Sequence, residues 1–320
     1  MKKIILFPAL AICTILLTFY SCKKDKGTVL PIVEETTPTP TPSTSNLDNF
    51  FNQNILDGKQ SFTIDAGIGQ SISGSKGTYI YIPANSFQNN SNNIVSGNIS
   101  VELIEIQTKA DMIWMNKTTT SNGQLLVSGG EISIKAFQNG EQLTLSPNGS
   151  VYISMPTNNP TNMSLFSGTE DSSGNINWDS TTTNVAVDSS GNYTFTIYSG
   201  TLGSDSLGWI NCDYFYSQTN LTTLTINPPS NHDNTNTVIY LFFNNIYAVA
   251  PTVWDGNGPH FRSYLNSLPI GEQITIVAIS EINGQLSSSF TPITLTANHT
   301  ESITFSATTS TDLQTDLNNL

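Results

Sequence analysis

The sequence predicts an all-β protein, with two or more β-sandwich-like modules after a signal peptide and a Pro/Thr-rich tether. Three observations carry that prediction. From Ser61 onward apolar residues recur at every second position in short runs, the period of a strand with one face buried. Asn-Gly, Ser-Gly and Pro signals punctuate those runs at the spacing of sandwich or barrel strands. No long amphipathic helix is evident.

Residues 1–21 have the order of a secretory leader: Lys2 and Lys3, then an almost unbroken apolar run from Ile4 to Tyr20. Pro8 interrupts that run, which falls a little short of the roughly 20 residues of a spanning helix. A retained transmembrane helix and a plain cleaved leader are the alternatives to a leader that ends at Cys22. Residues 22–46 read as an N-terminus and tether. The Thr36–Ser43 stretch alternates Thr and Pro, and in polyproline geometry the tether reaches on the order of 70 Å. Phe19-Tyr20-Ser21-Cys22 resembles a bacterial lipoprotein signal, in the looser form of the Bacteroidota. It departs from the strict pattern by lacking Leu three residues before the cysteine. The resemblance implies lipidation of Cys22, palmitate included, and a membrane partnership through that lipid. The place implied is the outer membrane, surface-exposed or periplasm-facing. Lys23-Lys24-Asp25 looks like the surface-export signal of that group, and an inner-leaflet position stays open.

The chain carries a net charge of −13, made two units more negative when Lys2 and Lys3 leave with the leader. Beyond Lys135 the only formal positive charge is Arg262. Such a surface repels phosphate backbones and excludes nucleic acid as a partner. Hydrophobic residues make up 37%, enough for a buried core rather than disorder. Of the 3 cysteines, Cys13 belongs to the leader and Cys22 to the lipid. Cys212 therefore stands alone, without a disulfide framework. Beside Trp209, Ile210 and Phe215 it reads as a buried small hydrophobe rather than a reactive thiol.

Within the body, Leu47 to Leu56 reads as a short helix with Phe50, Phe51 and Ile55 on one side. Residues 47–158 form a first sandwich. Phe62 and Ile64, then Ile80 and Ile82, alternate with polar positions. Ile99, Val101 and Leu103 share a face, and a slip at Ile104 reads as a bulge or a strand buried on both faces. Asn139-Gly140 is a hairpin turn, and Pro156 and Pro160 mark a boundary. Residues 159–216 read as a β-hairpin region. Residues 217–308 read as an immunoglobulin-like or prealbumin-like sandwich, with Val238 to Phe243 its central strand. Residues 309–320 are a C-terminal tail with a short helix.

The stretches Gly77–Phe87, Val95–Ile106 and Leu126–Ile134 resemble the ZU5-like β-sandwich modules of Bacteroidota exported proteins, over about Phe62 to Pro156. That resemblance implies a fold and an interaction role, and supplies no catalytic residue.

Motifs for chemistry are sparse. Ser73-Gly74-Ser75-Lys76 matches Ser-x-x-Lys in letters, but lies in a Gly-rich turn instead of opening a helix. His232, His260 and His299 are too widely spaced for zinc and read as solvated loop residues. Asp171, Asn175, Asn177 and Asp179 offer oxygens that fit either calcium or ordinary turn chemistry. Glu102 and Glu105 fall on opposite strand faces and make no acid–base pair. No catalytic residue, metal ligand or cofactor is indicated. For ligand contact the leading residues are Trp254, Asp255 and Asn257, an aromatic beside carboxylate and amide as in saccharide sites; core packing is the other role open to Trp254. Trp178 with Asn177 is a weaker set, and Trp114 and Trp209 read as core. Asp179-Ser180-Thr181 and Asp205-Ser206-Leu207 resemble the O-glycosylation pattern of Bacteroidota. The expected function is a lipid-anchored, non-enzymatic envelope or surface protein presenting sandwiches to an extracellular protein, in adhesion or envelope architecture. A glycan-binding lipoprotein that assists polysaccharide capture is the alternative.

Overall fold

Alternation of apolar and hydroxyl-bearing residues leaves each strand one face to bury, and the sheets stack to bury them. The computed structural model describes residues 45–157 and 161–320. The leader, Cys22 and the tether before Ser45 lie outside the described residues. Of the described residues 49% are in strands and 10% in helices, the strands forming several antiparallel sheets. No helix among the described residues is long and apolar enough to cross a membrane.

Helix α1 (Ser45–Asp57) precedes strands β1 (Gln60–Asp65), β2 (Gln70–Ser73), β3 (Tyr79–Ile82) and β4 (Asn98–Ile106). Helix α2 (Lys109–Trp114) leads to β5 (Gln124–Gln138), β6 (Ser150–Met155), β7 (Ser164–Glu170) and β8 (Ile176–Asn184). Then come β9 (Ala186–Val187), β10 (Tyr193–Tyr198) and β11 (Trp209–Phe215). These strands form an eight-stranded sheet with main path β1-β4-β5-β11-β7-β8 and a five-stranded sheet β9-β10-β6-β3-β2. Between them lies a core that includes Ile64, Ile80, Val101, Ile134, Ile153 and Phe195. The region 159–216, read from the sequence as a hairpin region of its own, supplies from its described residues three strands to the same sheet as β1 and two to the five-stranded sheet. Turn signals fix which strands are neighbours in the chain, but sheet membership is a long-range matter.

The second sandwich holds β12 (Thr225–Asn227), β13 (Thr237–Phe243), β14 (Val249–Pro251), β15 (Val253–Asp255) and β16 (His260–Arg262). It is completed by β17 (Gln273–Ile282), β18 (Gln285–Thr294), β19 (Thr300–Ser302) and β20 (Ser306–Ala307), and α3 (Ser310–Asn318) follows. A five-stranded sheet β14-β13-β17-β18-β20 faces a four-stranded sheet β15-β16-β12-β19, across Leu241, Ile226, Phe261 and Ile276.

A third apolar layer joins the two sandwiches. Ile104, Phe166, Trp178 and Trp209 from the eight-stranded sheet meet Tyr240, Phe242, Val277 and Ile279 of the β13 sheet. All three helices contribute: Leu47 and Phe51, Met112 and Ile113, Leu313 and Leu317. The slip at Ile104 is therefore a strand buried on both faces, since β4 pairs with β5 without a register shift. Asn139-Gly140 turns β5 back with both residues at positive φ, 52° and 83°, as a two-residue hairpin of the primed type requires.

Glu105 ties the first sandwich together at one end. Its Oε1 accepts from Thr78 N at 2.9 Å, and its Oε2 from Lys76 N and Gln60 Nε2, both at 2.9 Å. The Ser73–Lys76 motif is thus a turn wrapped on a carboxylate. A Cβ on Gly74 would stand 2.3 Å from Glu105 Oε2, so only glycine fits there. Burial would raise the Glu105 pKa, but the hydrogen bonds from Thr78, Gln60 and Lys76 outweigh it and hold the group below its ordinary 4.5. Its stabilisation is complete above that ordinary value and is lost as pH falls through the lowered one. Glu105→Ala strands these donors and is expected to cost about 2–4 kcal/mol in urea denaturation at neutral pH, with the difference from wild type shrinking as the buffer is made acid.

Candidate functional site

The residues that line one cleft come from four separate stretches, and ordinary strand parity aims them there. On β8, Ile176 and Trp178 point inward, which leaves Asn177 and Asp179 outward. Asn116, Thr118, Thr120 and Asn122 follow α2 on the segment that leads to β5. Tyr240 and Ile239 come from β13, and Trp254, Phe261 and Tyr264 from β15, β16 and the following loop. Together they line a cleft of about 510 Å³ where the two sandwiches meet. Clefts between packed units are a preferred place for small-molecule sites.

The polar wall is held by its own bonds. Asn122 N donates to Asn177 Oδ1 at 2.7 Å, and Asn116 Nδ2 to Asn175 Oδ1 at 3.2 Å. Tyr240 Oη donates to Asn116 Oδ1 at 2.8 Å. Lys117 anchors this wall from behind. Its side chain is 1% exposed and its amine lies 3.0 Å from Glu170 Oε1. The amine also donates to Gly174 O at 2.9 Å and sits 5.2 Å from the Trp209 ring centroid. Burial pushes the Lys117 pKa down, and Glu170, Glu131 and Asp171 oppose that shift. One buried cation thus fixes the β7–β8 hairpin against the cleft. On the opposite wall Trp254 meets Phe261 edge to face, with centroids 4.8 Å apart, and is half-buried. It packs on the core of its sandwich and also lines the cleft.

The other sequence candidates fall elsewhere. Asp255 accepts from Asn257 N at 3.1 Å and lies 3.4 Å from Arg262 Nε, so it serves its own turn. Asn257 is exposed, and neither residue lines the cleft. Trp178 is completely buried and donates from Nε1 to Thr118 O at 2.8 Å, so it offers no face to a ligand. Asp171 accepts from Ser173 N and Asn175 N at 2.9 and 3.0 Å, the turn chemistry weighed against calcium. No cluster of three or more His, Cys, Asp or Glu suited to a metal occurs among the described residues. His232 is not a solvated loop residue. It is buried and stacks on Phe305 with ring centroids 4.0 Å apart, because Phe305 returns over its turn. Cys212 is fully buried, and its thiol pKa is raised by burial and by Asp213. Ser180 and Ser206, of the glycosylation-like motifs, are exposed. Tyr264 and Asn122 were not singled out from the sequence; a positive-φ Asn122-Gly123 turn was the one local signal.

A smaller cavity of about 410 Å³ holds Lys76, Lys109 and Tyr247. The Lys109 amine donates to Phe243 O and Ile246 O and lies over the Phe242 ring at 4.0 Å; burial lowers its pKa to about 8. It is spent on closing a loop.

Behind the cleft, in the middle layer, lie two buried carboxyls. β5 carries one extra residue opposite β11, so that Gly129 and Gly130 stand across from Cys212. This bulge puts Ser128 and Glu131 on one face. Ser128 Oγ donates to Asn211 Oδ1 at 2.8 Å, and Asn211 Nδ2 to Glu131 Oε1 at 3.4 Å. Burial, with Asp213 beside it, raises the Glu131 pKa far more than Lys117 lowers it. Burial likewise raises Asp213, against a smaller effect of the Ser128 hydroxyl.

No family model matches the chain, and no curated protein does. Fold and site define the class by themselves: stacked antiparallel sheets with an aromatic-and-amide cleft at the junction of two sandwiches.

Both raised carboxyls favour their neutral forms in the folded state. The stability they contribute is complete below the ordinary carboxylate range and is lost as pH rises through the raised values. As pH rises above the ordinary carboxylate range, thermal unfolding is expected to show a falling Tm. Asp213→Asn, which cannot ionise, should flatten that fall; an unchanged slope would contradict the assignment.

Proposed function

We propose that this chain is a lipid-anchored, non-enzymatic surface protein whose inter-sandwich cleft binds a saccharide. The observation that carries the reading is that the Trp254 and Tyr264 rings line the same cleft as Asn122, Asn177 and Asp179. Saccharides present apolar ring faces and a fringe of hydroxyls, which such a wall can stack and hydrogen-bond. The cleft lining contains no Ser, Cys, His or Lys among the described residues. Of its three carboxylates, Glu170 is paired with Lys117, Asp171 is engaged by its turn and Asp179 accepts from Asn177 Nδ2 at 3.4 Å, which supports binding rather than catalysis. The leader, the Cys22 motif and the resemblance to Bacteroidota lipoproteins with a ZU5-like module supply the setting: sandwiches held at the outer membrane, for adhesion or envelope architecture, with glycan capture as the cleft's task.

Two measurements test this. Metabolic labelling with palmitate is expected to mark the wild-type chain and not Cys22→Ala; equal labelling of both would remove the anchor. A glycan array probed with the full chain in detergent is expected to give a saccharide ligand. Trp254→Ala should weaken it by about tenfold or more, and Asp179→Ala, a surface change, by less. Absence of any bound glycan, or binding indifferent to Trp254→Ala, would remove the cleft reading.

A further inference from the structure

The five-stranded sheet β9-β10-β6-β3-β2 buries one face and leaves the other open. On its buried face stand Ile72, Ile80, Ile153 and Phe195. Its open face has an unusual composition. Tyr79, Tyr81, Tyr152 and Tyr198 stand on it, and every other outward position of β2, β3, β6 and β10 is serine or threonine. Register brings the aromatics together: Tyr81 lies directly across from Tyr152, whose ring meets that of Tyr79 at 6.5 Å between centroids. Tyr79 and Tyr81 are each 40% exposed and Tyr198 58%. Ser71 Oγ and Tyr79 Oη share a hydrogen bond of 2.6 Å, which steadies one ring at the sheet edge.

A solvated sheet face ordinarily mixes charges of both signs, and edge strands ordinarily carry them as protection against pairing. No charged side chain occupies the outward positions of these four strands. The flanking turn charges are engaged elsewhere: Lys76 pairs with Asp111 at 2.8 Å, and Asp188 accepts from Ser190 N and Asn192 N. Yet the chain as a whole is at −13. That combination selects the occupant. A polyanion is repelled by the body, and a cationic partner finds no charge on this face to pair with. A second copy brings its own −13 against the first. A neutral polymer bearing rings and hydroxyls meets none of these costs, and tyrosine faces among hydroxyls suit it.

We infer that the open tyrosine, serine and threonine face of this sheet is a docking surface for a neutral, insoluble polysaccharide. It is separate from the cleft of Trp254, formed by a different sheet, and does not depend on that cleft binding anything.

The test is depletion of the full chain, in detergent, by suspended microcrystalline cellulose, chitin and insoluble β-1,3-glucan, with insoluble alginate as the anionic comparison. Depletion by at least one neutral polymer and not by alginate is expected. The double variant Tyr79→Ala/Tyr81→Ala should lower affinity about tenfold or more. Tyr198→Ala, at the most exposed ring, should lower it by less in a chain of unchanged Tm. Trp254→Ala should leave it intact, which separates this surface from the cleft. The inference is overturned by no depletion with any neutral polymer, by equal depletion with alginate, or by depletion unaffected by the tyrosine variants. Sedimentation velocity that shows a dimer lost in Tyr79→Ala/Tyr81→Ala would overturn it too, by assigning the face to a second copy.

Discussion

The middle apolar layer is the constraint on which the rest of the structure depends. β13 shows it most plainly: Ile239, Leu241 and Phe243 face the core of their own sandwich, while Tyr240 and Phe242 face the layer shared with the other. The eight-stranded sheet is in the same position, with Val101 and Ile134 on one side and Ile106 and Trp209 on the other. Antiparallel sheets more often keep one face in water. Here each inner sheet is covered twice, and separating the sandwiches would expose Phe51, Phe166, Trp209 and Phe242 together. Each fully buried side chain of this kind contributes about 1.5–3 kcal/mol, so the described residues belong to one unit, within 38–320.

The polar groups inside that layer follow from the same constraint. A buried charge is tolerated when it is paired, and a buried carboxyl when it is neutral or hydrogen-bonded. Lys117 meets the first condition through Glu170 and a carbonyl oxygen; Glu131 and Asp213 meet the second by resisting ionisation. Lys117 also turns a packing requirement into a positioning device, because the hairpin it grips is one wall of the cleft. The cleft opens where the apolar layer stops short of the surface, with aromatic residues from one sandwich and amides from the other.

Much of the strand content was legible because it is written locally. Val151, Ile153 and Met155 alternate with Ser and Tyr, and β6 follows them; Asn139-Gly140 announces its own turn. Helix α1 was readable from Phe50, Phe51 and Ile55, and a short helix was expected in the C-terminal tail, where α3 lies with Leu313 and Leu317 buried. Helix α2 was not read, since six residues give too little periodicity; its signal was the capping pair Thr108 and Asp111. The layering was not legible, because nothing in residues 161–216 says which sheet they join. For the same reason the cleft was half seen. Trp254 stood out as a loop aromatic and Asn177 as the partner of Trp178 in a weaker set, but only long-range packing brings Trp254 and Asn177 to one cleft. Asp255 and Asn257 sat close to Trp254 in the chain and so looked like its companions, whereas the fold turned them to their own loop.

Helix α1 is the first described element after the tether, and Leu47 and Phe51 plant it in the middle layer rather than at the rim of a sheet. Any tension drawn along the preceding residues therefore enters the molecule at its centre. It must drag a helix out of a packed bed in shear, with Phe51 braced edge-on against Tyr240 at 6.3 Å, instead of peeling an edge strand one hydrogen bond at a time. Were the described body pulled by its N-terminus, load would pass through side-chain packing first, and the sheets would be spared until that packing yields.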